Sequence, residues 1–147
     1  SHAAKGVAPS FMIRALRDAD GANLDRVQVI KGWLDKKGKT HERIYDVAVS
    51  GDRKIGKDGL ARAPVGSTVN LEKPDYTNTI GAPFLAAHWV DPDFDAKQRA
   101  FYYVRVIEIP TPRWTAYDAK FFNVKMPEGN KMTVQDRAYT SPIWYTP

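Results

Sequence analysis

Three carboxylates alternate in Asp91-Pro-Asp93-Phe-Asp95. A hard cation such as calcium needs several oxygens converging from one loop, and a D-x-D-x-D run supplies them. Asp91, Asp93 and Asp95 are therefore the candidate metal ligands, and calcium is the cofactor they would take. A complete calcium loop also carries a glycine at its sixth position and a glutamate at its twelfth, where this chain has Ala96 and Tyr102. A turn between two strands is the simpler reading of the segment.

Few other residues offer chemistry. Histidines stand at positions 2, 41 and 88, in no HxH or HExxH spacing. Ser10, Ser50, Ser67 and Ser141 have no base partner evident in sequence, and no G-x-S-x-G elbow, P-loop or dinucleotide fingerprint is present. With no cysteine, the chain has no thiol nucleophile, zinc ribbon or disulfide framework. No catalytic residue is assigned. Aromatic residues gather late in the chain, from Trp89 to Tyr145. Rings beside arginines can stack on sugars or bases, so Arg113, Trp114 and Tyr117 are the candidate ligand-binding residues. Large rings more often fill a core.

Elements must position these side chains, and the chain is long enough to build them. Its 147 residues make one domain's worth, with 43% hydrophobic and 12% aromatic residues. The apolar runs fall short of the roughly 18 residues a membrane-spanning helix needs. The net charge of +5 is spread along the chain. Its densest run, from Lys36 to Arg43, lacks interleaved aromatics and reads as a solvated hairpin tip rather than a nucleic-acid surface. No nucleic-acid partner is expected.

Strand patterns dominate. Alternation over Ser10 to Arg17, β-branched residues over Arg26 to Leu34, and the run Thr40 to Val49 predict three strands, the last two joined as a hairpin at Asp35 to Gly38. Gly32, inside the second strand, predicts a bulge or a close backbone approach. Residues 50–66 predict an exposed loop, and Ser67 to Leu71 a short strand. Phe84 to Val90 is closed abruptly by Asp91-Pro92 and is read as a strand. Ala100 to Ile109 is apolar on both faces, which predicts a central strand. Trp114 to Phe122 predicts the one convincing helix, with Thr115 as a possible N-cap and Tyr117, Phe121 and Phe122 on its apolar side. Met132 to Arg137 reads as a short helical turn. Ala138 to Thr146 reads as a strand broken by Pro142. Phe11, Ile13, Val27, Val29, Val104, Val106 and Ile143 form the expected core. The fold class is mainly β: an antiparallel β-sandwich, Ig-like or jelly-roll-like, with one short helix near residues 114–122. Ser1-His2 resembles a tag remnant, so residues 1–8 are read as scar and linker. Residues 9–147 are read as one domain cut from a longer protein.

Four strings carry a family resemblance: Ala22 to Ala48, Tyr76 to Pro83, Trp89 to Lys120 (WVDPDFDAKQRAFYYVRVIEIPTPRWTAYDAK) and Arg137 to Pro147 (RAYTSPIWYTP). Together they resemble the C-terminal region of the domain-of-unknown-function 3604 family. Its members are large exported bacterial proteins related to PHP-type metal-dependent phosphoesterases. The resemblance implies an N-terminal metallohydrolase-like region opening with a G-D-L-H-x-H-T-type motif, and this chain contains none of that motif. It therefore implies a non-catalytic accessory β-domain whose partner is that region of the same protein, in a periplasmic or extracellular location. The Tyr103 to Val106 and Ser141 to Ile143 segments would be fold-bearing strands. An alternative is an autonomous module binding a carbohydrate or envelope polymer, stabilised by calcium. A small hydrolase in its own right is a third reading.

Overall fold

The computed structural model describes residues 6–147; Ser1 and His2, read above as a tag remnant, lie outside the described residues. Strands β1 (Ser10–Leu16), β2 (Leu24–Leu34), β3 (Thr40–Val49), β4 (Phe84–Val90) and β5 (Ala100–Glu108) carry the architecture. After them come β6 (Thr111–Pro112), helix α1 (Trp114–Phe121), β7 (Thr133–Val134), β8 (Arg137–Tyr139) and β9 (Ile143–Tyr145). The chain is mainly β, its strand pairings are antiparallel, and α1 is the one α-helix among the described residues.

Five strands form the larger sheet, in the order β3-β2-β5-β8, with β9 also pairing β5. β2 and β3 are a hairpin whose paired residues run from Arg26 with Val49 to Leu34 with Thr40. Its turn uses Gly38 at φ 77°, and the Asp35 carboxylate accepts the Lys37 and Lys39 amides at 2.8 and 2.9 Å. β5 is central, between β2 and the β8/β9 edge, as its two apolar faces predict. Pro142 splits that edge. β8 covers Arg105 to Ile107 and β9 covers Ala100 to Tyr102. Between them the Thr140 hydroxyl accepts the Val104 amide at 3.0 Å and the Thr140 amide donates to the Val104 carbonyl at 3.0 Å, which carries the ladder across the gap.

β1 and β4 pair along their whole length and lie across one face of the larger sheet. The core between the layers follows from alternation. Ile13 and Ala15 of β1 and Leu85 of β4 meet Leu24, Val27 and Val29 of β2 and Ala100 and Tyr102 of β5. Phe11, Val104 and Val106, expected in the core, are only partly buried and pack against its margin. Ile143 does not join it: it pairs with Tyr102 on the same side of the sheet, but on the edge strand β9, where it is 56% exposed.

Glycine 32 marks a close approach. The Phe101 ring, on the neighbouring strand, lies across it, and a Cβ there would sit 2.3 Å from the ring. The bulges fall earlier in β2, between Leu24 and Arg26 and between Val27 and Gln28. The first leaves Asp25 as the extra residue, and a bulge re-aims a side chain. The buried Asp25 carboxylate accepts Arg53 at 2.6 Å and Gln135 at 2.9 Å, and pairs with Arg26. It ties β2 to two distant loops.

Three local expectations are corrected. Ser67 to Leu71 is not a strand: Asn70 Oδ1 accepts the Glu72 and Lys73 amides, which turns the chain, and only an isolated bridge to Asp75 forms. Met132 to Arg137 is not helical, because β7 pairs with β6 and β8 begins at Arg137. Thr115 does not cap α1. Arg113 occupies the N-cap without a side-chain bond, and the Thr115 hydroxyl donates to the Lys131 carbonyl at 2.6 Å. Among the described residues no helix is long and apolar enough to cross a membrane.

Candidate binding surfaces

The acidic turn follows β4 and folds back over the larger sheet. Lys31 of β2 reaches it from below: its Nζ donates to Asp91 Oδ2 at 2.6 Å and to the Asp93 carbonyl at 2.8 Å. The Tyr102 hydroxyl donates to the same Asp91 oxygen at 2.7 Å. Asp93 Oδ2 accepts Arg43 at 2.6 Å and the Tyr45 hydroxyl at 2.5 Å. Burial together with the neighbouring carboxylates pushes both tyrosine hydroxyls well above their ordinary range, so they stay protonated donors. Asp95 turns away and accepts the Lys97 amide. The three aspartates thus do not converge. An ammonium lies between Asp91 and Asp93, where the sequence pattern suggests an ion, and a guanidinium holds Asp93 from outside. Among the described residues no group of three or more His, Cys, Asp or Glu side chains is placed to hold a metal.

The histidines are also separate. His41 stacks on Trp33, with centroids 5.3 Å apart and planes at 14°, and its Nε2 lies 2.9 Å from Asp35 Oδ2. That bond holds the Asp35 carboxyl below its ordinary range. His88 Nε2 lies 2.7 Å from Ser10 Oγ across the β1–β4 pair. A Ser–His contact is the start of a nucleophilic site, but no described carboxylate bonds the other ring nitrogen.

Arg113, Trp114 and Tyr117 do lie together, at the start of α1. The Arg113 guanidinium sits 5.9 Å from the Trp114 ring centre, and Arg113 also lines an open groove of about 690 Å³ with Lys131, Gln135, Arg137 and Tyr139. The helix is turned inside out. It buries Thr115 and Ala116, whereas Trp114 is 61%, Tyr117 48%, Phe121 83% and the following Phe122 63% exposed. A surface helix ordinarily buries its apolar side.

A second surface was not singled out by sequence reasoning. Strand parity splits the late aromatics: Tyr102 faces the core, while Phe101 and Tyr103 face the opposite side of the sheet. There Trp144, Phe101, Tyr103 and Tyr139 form a row, with successive ring centres 5.2, 6.4 and 6.2 Å apart. Phe101 and Tyr103 are within 10° of parallel. The Arg137 and Arg105 guanidiniums beside the Tyr139 hydroxyl hold it below the usual tyrosine range. At the Trp144 end the row opens into a cavity of about 650 Å³ lined by the end of β2 and the starts of β3 and β5. The signal was the alternation in FYYVRVI; which of its two faces is covered depends on β1 and β4.

The model of a family described as proteins of unknown function, DUF3604, matches residues 1–147. No curated protein and no solved structure matches the chain.

Proposed function

The chain belongs to the DUF3604 family, and from that premise we propose that it is a non-catalytic accessory β-domain of a PHP-related metallohydrolase-like protein. It docks on the metal-binding region of that protein through α1. The observation that carries this reading is the outward aromatic side of α1: Trp114, Tyr117, Phe121 and Phe122 leave a contiguous apolar surface bare. Such surfaces mark contacts with another protein surface. The interior is already filled by the two layers, so these rings have no place inside their own domain.

The non-catalytic part rests on the side chains present. Metal-assisted hydrolysis needs an ion held by several ligands and a water activated by it, and the described residues offer no such group. The same reading takes the β1–β4 pair and the larger sheet as an Ig-like or jelly-roll-like sandwich, in a periplasmic or extracellular protein.

The test is to express the preceding metallohydrolase-like region separately and mix it with this chain in sedimentation experiments. A complex is expected, weakened about tenfold or more by Phe121→Ser with Phe122→Ser, since each buried aromatic contributes on the order of 1.5–3 kcal/mol. The double variant should melt as wild type does. No complex, or one indifferent to the double variant, would overturn the docking role.

A further inference from the structure

The cavity at the Trp144 end of the aromatic row shares no lining residue with α1. What it binds is therefore a separate question from docking. Its volume of about 650 Å³ falls within the range of small-ligand pockets. Phe101, lying over Gly32, and Trp144 line it with their rings on the outer face of the sheet, while Trp33, stacked on His41, belongs to the core side. Glu42 and Arg99 add a carboxylate and a guanidinium to the lining. Flat apolar rings flanked by a few hydrogen-bonding groups match a ligand with an apolar face and a polar edge.

A pyranose ring has that form: C–H groups on its faces and hydroxyls around its rim. Glu42 accepts from hydroxyls, and Arg99 donates to them. The row continues the surface in one direction. From Phe101 the rings of Tyr103 and Tyr139 follow along β5 and β8. An extended chain of sugar units can lie on such a row, one ring against the next. A nucleic acid suits it less well. Strand binding requires a continuous positive groove tracking the phosphates, whereas the cavity sets Glu42 beside Arg99, and Arg105 and Arg137 gather at the far, Tyr139 end.

We propose that the cavity and the aromatic row form a glycan-binding site, with one pyranose seated against Phe101 and Trp144 beside Glu42 and further units laid over Tyr103 and Tyr139. Trp144 is the anchor. It is 71% exposed and has no packing partner on its outer side among the described aromatic rings except Phe101. Glycine 32 supports the site, because any side chain there would displace the Phe101 ring.

Titration of the chain with cello-, chito- and galacturonate oligosaccharides, followed by tryptophan fluorescence and calorimetry, tests this. At least one series should bind, with affinity rising with the number of sugar units. Trp144→Ala should weaken binding about tenfold or more, on the scale of losing one stacked ring. Tyr139→Ala should weaken only the longer oligomers, and Trp114→Ala should change nothing. Melting temperatures keep loss of the site distinct from loss of fold, and the outward Trp144 and Tyr139 should alter them little. Failure of all three series to bind overturns the proposal, as does binding indifferent to Trp144→Ala. Tighter binding of a single-stranded oligonucleotide through the same residues would replace it with a nucleic-acid site. None of these outcomes bears on docking through α1.

Discussion

Lys31 brings a positive charge into the interior, and its side chain and that of Asp91 are 3% and 0% exposed. A buried pair is expensive to break, since removing one partner strands the other charge out of water. Lys31→Met should therefore cost about 3–5 kcal/mol in urea unfolding, and Lys31→Met with Asp91→Asn should recover part of that loss. A single-variant loss below about 1 kcal/mol, the scale of an exposed pair, would mean that water reaches the site. Glu108 is the pH-sensitive counterpart. Burial, then the nearby Asp136, raises its carboxyl above the ordinary 4.5. The folded state thus holds that proton more tightly than the unfolded chain. Stability from this group is greatest below pH 4.5, falls as pH rises toward the raised folded value, and stays flat above it. Glu108→Gln should flatten that fall, matching wild-type melting near pH 4 and exceeding it at pH 7. Equal curves at both pH values would show the carboxyl to be solvated. Part of this was legible from residues alone: alternation puts Lys31 on the face of Val27 and Val29. Its partner Asp91, 60 positions on, was not, because no local pattern links the two.

The main strands emerge close to where the sequence pattern places them. β3 and β4 coincide with Thr40 to Val49 and Phe84 to Val90, because hydrophobic alternation and bounding turn residues act over a few positions. β6 and β7, of two residues each, were missed for the converse reason. Segments so short have no periodicity, and only their pairing to each other extends them. The contrast between β2 and α1 can be measured. Val29 is buried at the centre of the layers, whereas Phe121 is among the most exposed side chains. Val29→Ala should cost about 1–3 kcal/mol, the transfer and cavity loss of two methyl groups. Phe121→Ser should change stability by less than about 0.5 kcal/mol. A large loss at Phe121 in the isolated chain would mean that α1 packs inward, and would remove the reason for docking.

For the whole molecule, the larger sheet is covered by β1 and β4 on one face, while the other face buries Ile30 and Ile107 and leaves the aromatic row along its β8/β9 edge. His41 and His88 and the aspartate turn are engaged separately: His41 with Asp35, His88 with Ser10, and the turn with Lys31, Arg43 and Tyr102. The isolated chain should accordingly show no turnover of p-nitrophenyl phosphate or its bis-ester with manganese, zinc or iron. Turnover that survives repurification and is abolished by His41→Ala or His88→Ala would make it a hydrolase itself. By itself the sequence determined which segments extend, which one coils, and that β5 runs through the middle, since side-chain alternation and the backbone limits of proline and glycine are local. Tertiary structure alone decided three further things: that the acidic turn closes on an ammonium, that α1 shows its rings to the outside, and that Phe101 and Tyr103 join Tyr139 and Trp144 in an open row. Each depends on register between strands far apart in the chain, where a slip of one residue exchanges the buried face for the exposed one.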